Sequence, residues 1–314
     1  MSAGLLLGLG AAVCWGLTDI AGALAGRRVG SLLALAFSQI LSIVVLVAVI
    51  LAAPGAIRWD TAALPTAVAV GVGSAVAYLA FFTALRIGPI TVVSPVVAAY
   101  GGLVVVLAVV LRGESLTVVQ AVGAAVATLG VVLTGLSFDG GLRRTRLVGP
   151  GVPFAITALI FFAFVTVGLA GPIEQTGWLA AITWSRLGNI GAIGLVLAVV
   201  LAIRPRIAAP LLATSEPTTG GPPEAPTEPR GRMPAPTRGA IVPIALAGVL
   251  DVVGFISFAI GLEVADTWLV GLASSFGPAI AVLVAFAFLG ERPRRNQWAG
   301  FAAIGAGLVA VALP

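Results

Sequence analysis

Three charged side chains, Asp19, Arg186 and Asp251, each fall inside a long apolar run. A charge held in hydrocarbon is costly, so such a residue reads first as functional, with a partner to be found. A carboxylate in apolar surroundings can carry a proton or a cation. An arginine offers a permanent cation whose planar fork matches a carboxylate. Asp251 is therefore expected as a proton or substrate-cation site, and Arg186 as the holder of an anionic group. Asn189, one turn from Arg186 on the same helical face, can satisfy neighbouring polar groups. Trp15 shares a face with Asp19, and Tyr78 adds a second ring; both can stack on a solute. These six residues are the candidate substrate- or proton-binding set.

The chemistry that the sequence lacks narrows the reading. There is no histidine, hence no usual general base and none of the commonest metal ligand. One cysteine, Cys14, excludes an internal disulfide and a cysteine metal cluster. Its place inside the first apolar run suggests packing. No GxxxxGK[ST] loop is present. No catalytic residue, metal or cofactor is expected, and the chain does not read as an enzyme. A membrane-embedded lipid or prenyl transferase would want clustered carboxylates with a metal or a histidine base. A non-transporting receptor or scaffold is the other alternative.

The elements that must position these residues follow from composition. Of 314 residues, 60% are hydrophobic and 9% charged, against roughly a quarter charged in an ordinary soluble domain. Ten apolar runs stand out, at about 3–25, 31–53, 63–85, 90–111, 116–136, 150–171, 178–203, 240–262, 267–289 and 296–313. Each is long enough to cross a bilayer as a helix at ~1.5 Å per residue, the last only barely. The runs do not alternate with period two, which argues against a barrel. With no positive stretch at its start, the chain shows no cleaved signal peptide, and the first run is read as a span. Residues 204–238, rich in Pro, Gly, Thr and Glu, read as a disordered linker.

The runs also repeat. Gly71 and Gly248, Gly113-Glu114 and Gly290-Glu291, Gln120 and Gln297, Gly123 and Gly300, and Gly130 and Gly307 recur at a constant offset of 177. Nearer the front the offset is 147: Trp15-Gly16 falls on Phe162-Ala163, and Phe37-Ser38-Gln39 on Trp184-Ser185-Arg186. The difference is nearly the length of the Pro-rich segment, an insertion into the second copy. Five spans per copy make the second enter the membrane from the opposite side, the inverted repeat common among secondary transporters. The expected fold is thus an all-α membrane protein of ten transmembrane helices, with halves at 1–137 and 150–314.

These residues carry a resemblance. Trp15-Gly16, TALRIGPITVVSP at 83–95, LRGESLTVVQAVGAAVATLGVVL at 111–133 and FLGERPRRNQWAGFAAIGAGLVAVAL at 288–313 resemble the EamA-type transporters of the drug/metabolite transporter superfamily. The resemblance implies two five-helix bundles around a central cavity, and transport of small metabolites such as amino acids, often outward. Relatives often carry Arg in the second helix, where this chain has Gln39; the counterpart in the seventh is Arg186. The implied partners are a small-molecule substrate and the lipid bilayer, with no nucleic acid. The chain itself would be a monomer or homodimer in a bacterial plasma membrane.

Depth sorts the three charges. Asp251 is the midpoint of 240–262. Arg186 falls ~6 Å from the midplane and Asp19 ~7 Å on the opposite side, at ~1.5 Å per residue. Arg186 and Asp251 are therefore expected to pair, while Asp19 lies too far away. The remaining motifs have local explanations. Gly113 and Gly290 suit a left-handed helix stop, with Glu114 and Glu291 at the start of the following helices. Pro95 and Pro278 each remove a backbone donor mid-span, which suggests a kink or a site. Tyr100, Trp184 and Trp268 read as interface anchors.

All 17 basic residues are Arg. Fourteen fall in the loops following odd-numbered spans, and two, Arg58 and Arg112, on the other side. Short basic loops face the cytoplasm, which predicts both termini outside; the resemblance suggests both inside.

Overall fold

The computed structural model describes residues 2–29, 31–52, 55, 57, 60–87, 90–135, 150–203, 238–289 and 294–313. The Pro-rich segment 204–237, the Gly290-Glu291 pair and several of the arginine-bearing loops lie outside them. The described residues form helices and connecting turns: α1 Ala3–Val29, α2 Ser31–Ala52, α3 Leu64–Ile87, α4 Ile90–Ala98, α5 Tyr100–Arg112, α6 Val118–Gly135, α7 Val152–Thr176, α8 Trp178–Ile203, α9 Arg238–Val264, α10 Thr267–Ser274, α11 Gly277–Leu289 and α12 Arg295–Ala312. Eight described stretches are long and apolar enough to cross a membrane. Phe37–Ala52 of α2 is shorter. α12, which opens on Arg295-Asn296-Gln297, is not among the eight.

Two runs expected to be single spans are each two helices. One breaks at Ala99, between α4 and α5; the other breaks at Ser275-Phe276, between α10 and α11. Pro278 cannot donate to the Ser274 carbonyl four residues back, so the helix opens ahead of it. The Ser274 and Ser275 hydroxyls fold back instead, donating to the Gly271 and Leu272 carbonyls at 2.9 and 2.7 Å. Pro95 lies four residues before its break, inside α4. The prolines are not at equivalent places, yet the breaks are, since Ala99 and Phe276 stand at the larger of the two repeat offsets. The two breaks also touch: Gly101 lies so close to Ser275 that a Cβ there has no room.

Packing follows the same two offsets. α9 lies along α1 and against α2, and α3 lies along α7 and against α8. Gly71 of α3 meets the Ser185 carbonyl of α8; Gly248 of α9 meets the Ser38 carbonyl of α2. Gly71 and Gly248 are counterparts at the larger offset, Ser38 and Ser185 at the smaller. One set of helices (α1, α2 and α9) thus corresponds to a second (α7, α8 and α3), each taking its third helix from the other half of the sequence. The aromatic residues repeat the pattern. Trp15 packs on Phe255 and Phe258 at 6.0 and 5.5 Å; its counterpart Phe162 packs on Tyr78 and Phe81 at 5.3 and 6.3 Å.

α6 and α12 pair through glycines. A Cβ on Gly130 would lie 2.7 Å from the Gly300 carbonyl, and one on Gly307 2.6 Å from that of Gly123. Small residues let membrane helices approach this closely without a hydrophobic driving force. Gly130→Leu is expected to lower stability by about 1–3 kcal/mol, the usual cost of overpacking. Gly305→Ala, where an added Cβ meets nothing, should be neutral. Thermal unfolding of the two purified variants checks this, and equal melting temperatures would contradict the packing argument.

Candidate functional site

Arg186 and Asn189 come from α8, Asp251 and Phe255 from α9, and Gln39 and Ser42 from α2. The glycine contacts at Ser185 and Ser38 bring these helices together. Arg186 is 8% exposed and Asp251 4%. A guanidinium nitrogen (Nη2) of Arg186 donates to Asp251 Oδ2 at 2.6 Å, and the other (Nη1) to Gln39 Oε1 at 2.8 Å. The cation also stacks on the Phe255 ring, 4.6 Å from its centroid. Asp251 Oδ2 accepts a second bond, from Ser42 Oγ at 3.1 Å. The pair is thus buried, and its mutual attraction, the bond Arg186 donates to Gln39, the bond Asp251 accepts from Ser42 and an aromatic face offset its desolvation.

Every one of these partners of Arg186 belongs to the opposite helix set. Asp251 and Phe255 lie on α9, Gln39 on α2. Gln39 and Arg186 are also counterparts at offset 147, and counterparts that touch must lie at the axis relating the two copies. Gln39 supplies an acceptor for Arg186 from the opposite set. Ser42 and Phe255 do not stand out in the sequence. The available signal is the offset, which places Ser42 on Asn189 and Phe255 on Tyr78.

Asn189 is buried beside Arg186, and its Nδ2 has no hydrogen-bond partner among the described residues. Trp15 packs on Phe255, and its Nε1 is likewise unpartnered among them. Tyr78 and Tyr100 stand on either side of Phe162, at 5.3 and 6.0 Å. Tyr100 packs on Phe162 and against a buried cluster rather than anchoring an interface, and Trp268 is interior as well, at 3% exposed.

Asp19 stands apart from the pair. It is exposed and bears no hydrogen bond to a described residue, yet it is not on the outer face of α1. The outward residues Leu6, Val13 and Leu24 lie roughly 120–140° around the helix from it, at about 100° per residue. Asp19 is instead on the side of α1 that faces the bundle. Its counterpart Thr166 is 8% exposed.

The Gly-Glu pair at 113–114 carries a correction. Gly113 does take the left-handed stop, at φ 69°, with its N–H donating to the Val109 carbonyl. Glu114, however, does not serve the helix that follows it. Its carboxylate accepts from the N–H groups of Thr267 and Trp268 at 3.0 and 2.9 Å, capping α10. Asp266, at the N-cap position, makes no side-chain cap there, so these donors would otherwise be unsatisfied. Arg112 bridges Glu114 and Glu174. Together these ties join α5, α7 and α10.

The EamA-like transporter family model matches residues 2–136 and 220–313, more than half of the chain. The chain belongs to the EamA-like transporter family. A solved structure titled "Crystal structure of protein" matches this EamA-like chain with a TM-score of 0.75 and 18% identity, covering 99% of this chain and 97% of that one; the likeness is one of fold. No curated protein sequence matches. Family membership makes the chain a multi-pass membrane protein of a transporter family. α7 and α8, including Arg186 and Asn189, lie outside the matched segments, so geometry alone brings those residues to the site.

Removing one partner of a buried pair strands the other. Asp251→Ala is expected to cost about 3–5 kcal/mol, while Arg186→Met with Asp251→Leu recovers most of it. Thermal unfolding of the single and double variants checks this. A double variant no more stable than the single would show that the pair is not the unit.

Proposed function

We propose that this EamA-like protein is a secondary active transporter of small organic metabolites, built as ten spans in an inverted repeat of two five-helix halves at 1–137 and 150–314. The repeat is supported by contacts that obey both sequence offsets: the glycine approaches, the aromatic trios and the touching counterparts Gln39 and Arg186. Transport proceeds by alternating access, with the set α1, α2 and α9 tilting against α3, α7 and α8 around a central site. The observation that carries this reading is Arg186, a buried cation on the axis holding the opposite set through Asp251, Gln39 and Phe255.

Asp251 is the proposed coupling group. A proton on its carboxylate removes the charge that Arg186 pairs with and loosens the tie between the sets. The proton gradient fits as the driving force, since the chain has no nucleotide-binding loop. Asn189, Trp15, Tyr78 and Asp19 complete the proposed site around that pair, and the resemblance adds export of amino-acid-like solutes.

In proteoliposomes with an imposed pH gradient, labelled amines and amino acids are expected to move, and an ionophore that collapses the gradient should stop them. Asp251→Asn should stay folded and lose at least tenfold of gradient-driven flux, about 1.4 kcal/mol or more. Full flux in that folded variant would exclude Asp251 from coupling.

The arginine bias supports an orientation with both termini outside the bacterial plasma membrane. A C-terminal reporter active only in the cytoplasm is then expected to be silent; strong activity reverses the orientation.

A further inference from the structure

The first turn of α10 has two carboxylates within its reach. A helix begins with N–H groups that no turn of its own can satisfy. Glu114 takes two of them, one on each oxygen: Oε1 accepts from Thr267 and Oε2 from Trp268, at 3.0 and 2.9 Å. Asp266 occupies the N-cap position itself, with non-helical backbone at φ −56° and ψ 140°, and makes no side-chain cap. Aspartate is among the best N-cap residues, and Asp266 is exposed. A cap from a distant helix stands where a local one could serve. The distant cap is held in place by the end of α5. Gly113 is left-handed, and the Glu114 N–H donates back to the Ala108 carbonyl at 3.4 Å. Arg112 donates to Glu114 at 3.2 Å and also holds Glu174 of α7.

α10 lies between the two helix sets. Gly8 of α1 and Gly261 of α9 receive Ala273 and Val270 on one side of it; on the other, Gly271 receives Val104 of α5 and Thr166 of α7. Its counterpart at the larger offset, α4, sits differently. Among the described residues α4 packs on α3, α6 and α7, besides its own continuation α5. The offsets turn those three into α9, α12 and α1. α10 keeps α9 and α1, but among the described residues it packs on α5 and α7 in place of α12. One structure thus holds the same element of the repeat in two settings, and the Glu114 bonds accompany the second.

Resting on the alternating-access reading above, we infer that α10 is a gate held by an exchange of caps. With α10 against α5 and α7, Glu114 caps it across the boundary between the sets. When α10 parts from them with α1 and α9, the Glu114 bonds break and the Asp266 carboxylate turns onto the Trp268 or Leu269 N–H, the usual donors to an N-cap side chain. The helix end is satisfied in both positions, so the gate opens without stranding backbone donors. Glu114 favours the closed gate and Asp266 the open one.

Opening is read from a thiol beneath α10, on purified protein without substrate. Thr166→Cys, in a chain that also carries Cys14→Ala, is labelled with a water-soluble maleimide. Glu114→Ala should speed labelling about tenfold, the scale of hydrogen bonds to a charged acceptor. Glu114→Gln, which keeps one acceptor and the shape of the side chain, should speed it less. Asp266→Ala should slow it about fivefold, the scale of one N-cap. Both alanine variants lose a cap, so a purely structural role would move the two rates the same way or not at all. Val104→Cys, at the same contact from α5, repeats the measurement if Thr166→Cys folds poorly. Rates that move together, or a rate unmoved by Asp266→Ala, overturn the inference. Flux of labelled amines and amino acids in proteoliposomes separates the two readings. Opposed rates without flux count against transport and leave the cap exchange standing; flux without opposed rates does the reverse.

Discussion

A guanidinium near the centre of the bundle keeps its charge at any physiological pH, so the surrounding helices must satisfy it continuously. Arg186 needs a carboxylate, a neutral acceptor and a surface to cover its face, and Asp251, Gln39 and Phe255 supply them. That demand fixes the approach of α8 to both α2 and α9. It explains why Gly71 and Gly248 stand where they do, since a side chain at either position would hold those backbones apart. Exchanging the whole pair for apolar groups of similar volume would cost little. Losing one member alone leaves its partner's charge in a low-dielectric setting.

The two copies interlock rather than standing side by side. Because α3 packs with α7 and α8, and α9 with α1 and α2, each helix set draws on both halves of the sequence. The broken helices sit at the seam. At the second break the Ser274 and Ser275 hydroxyls donate to carbonyls of the preceding turn, and Gly101, just past the first break, lets the two breaks touch. Irregular backbone at this depth is tolerated only where protein or a cavity surrounds it. Away from the seam, the Glu114 carboxylate joins a helix from each half of the sequence.

The sequence discloses what depends on hydropathy and period. The apolar runs locate the helices, the offsets locate the repeat, and counting from span midpoints brings Arg186 within ~6 Å of the depth of Asp251. It does not disclose what depends on packing between distant elements. The prolines point to kinks, but the breaks lie at equivalent positions that the prolines do not share. Local rules assign Glu114 to its own neighbour because they see only the next helix; its donors, Thr267 and Trp268, come from the other copy. The buried place of Trp268 escapes for the same reason. Depth alone separates Asp19 from Arg186, but the exposure of Asp19 depends on how other helices pack around α1, and hydropathy carries no such information.

The counterparts that differ have an energetic consequence. If the copies were identical, swapping their conformations would convert one open form into the other at no change in free energy, and the carrier would rest equally in both. Here Gln39 answers Arg186, Ser74 answers Asp251 and Thr166 answers Asp19. Each difference lifts that degeneracy, because the charged member meets different water and different neighbours in the two forms. An equilibrium of this kind moves tenfold for every ~1.4 kcal/mol of difference, roughly one unmatched hydrogen bond. In the proposed alternating-access cycle, the unequal residues would therefore do more than shape a site: they would set which face of the membrane the empty carrier waits toward.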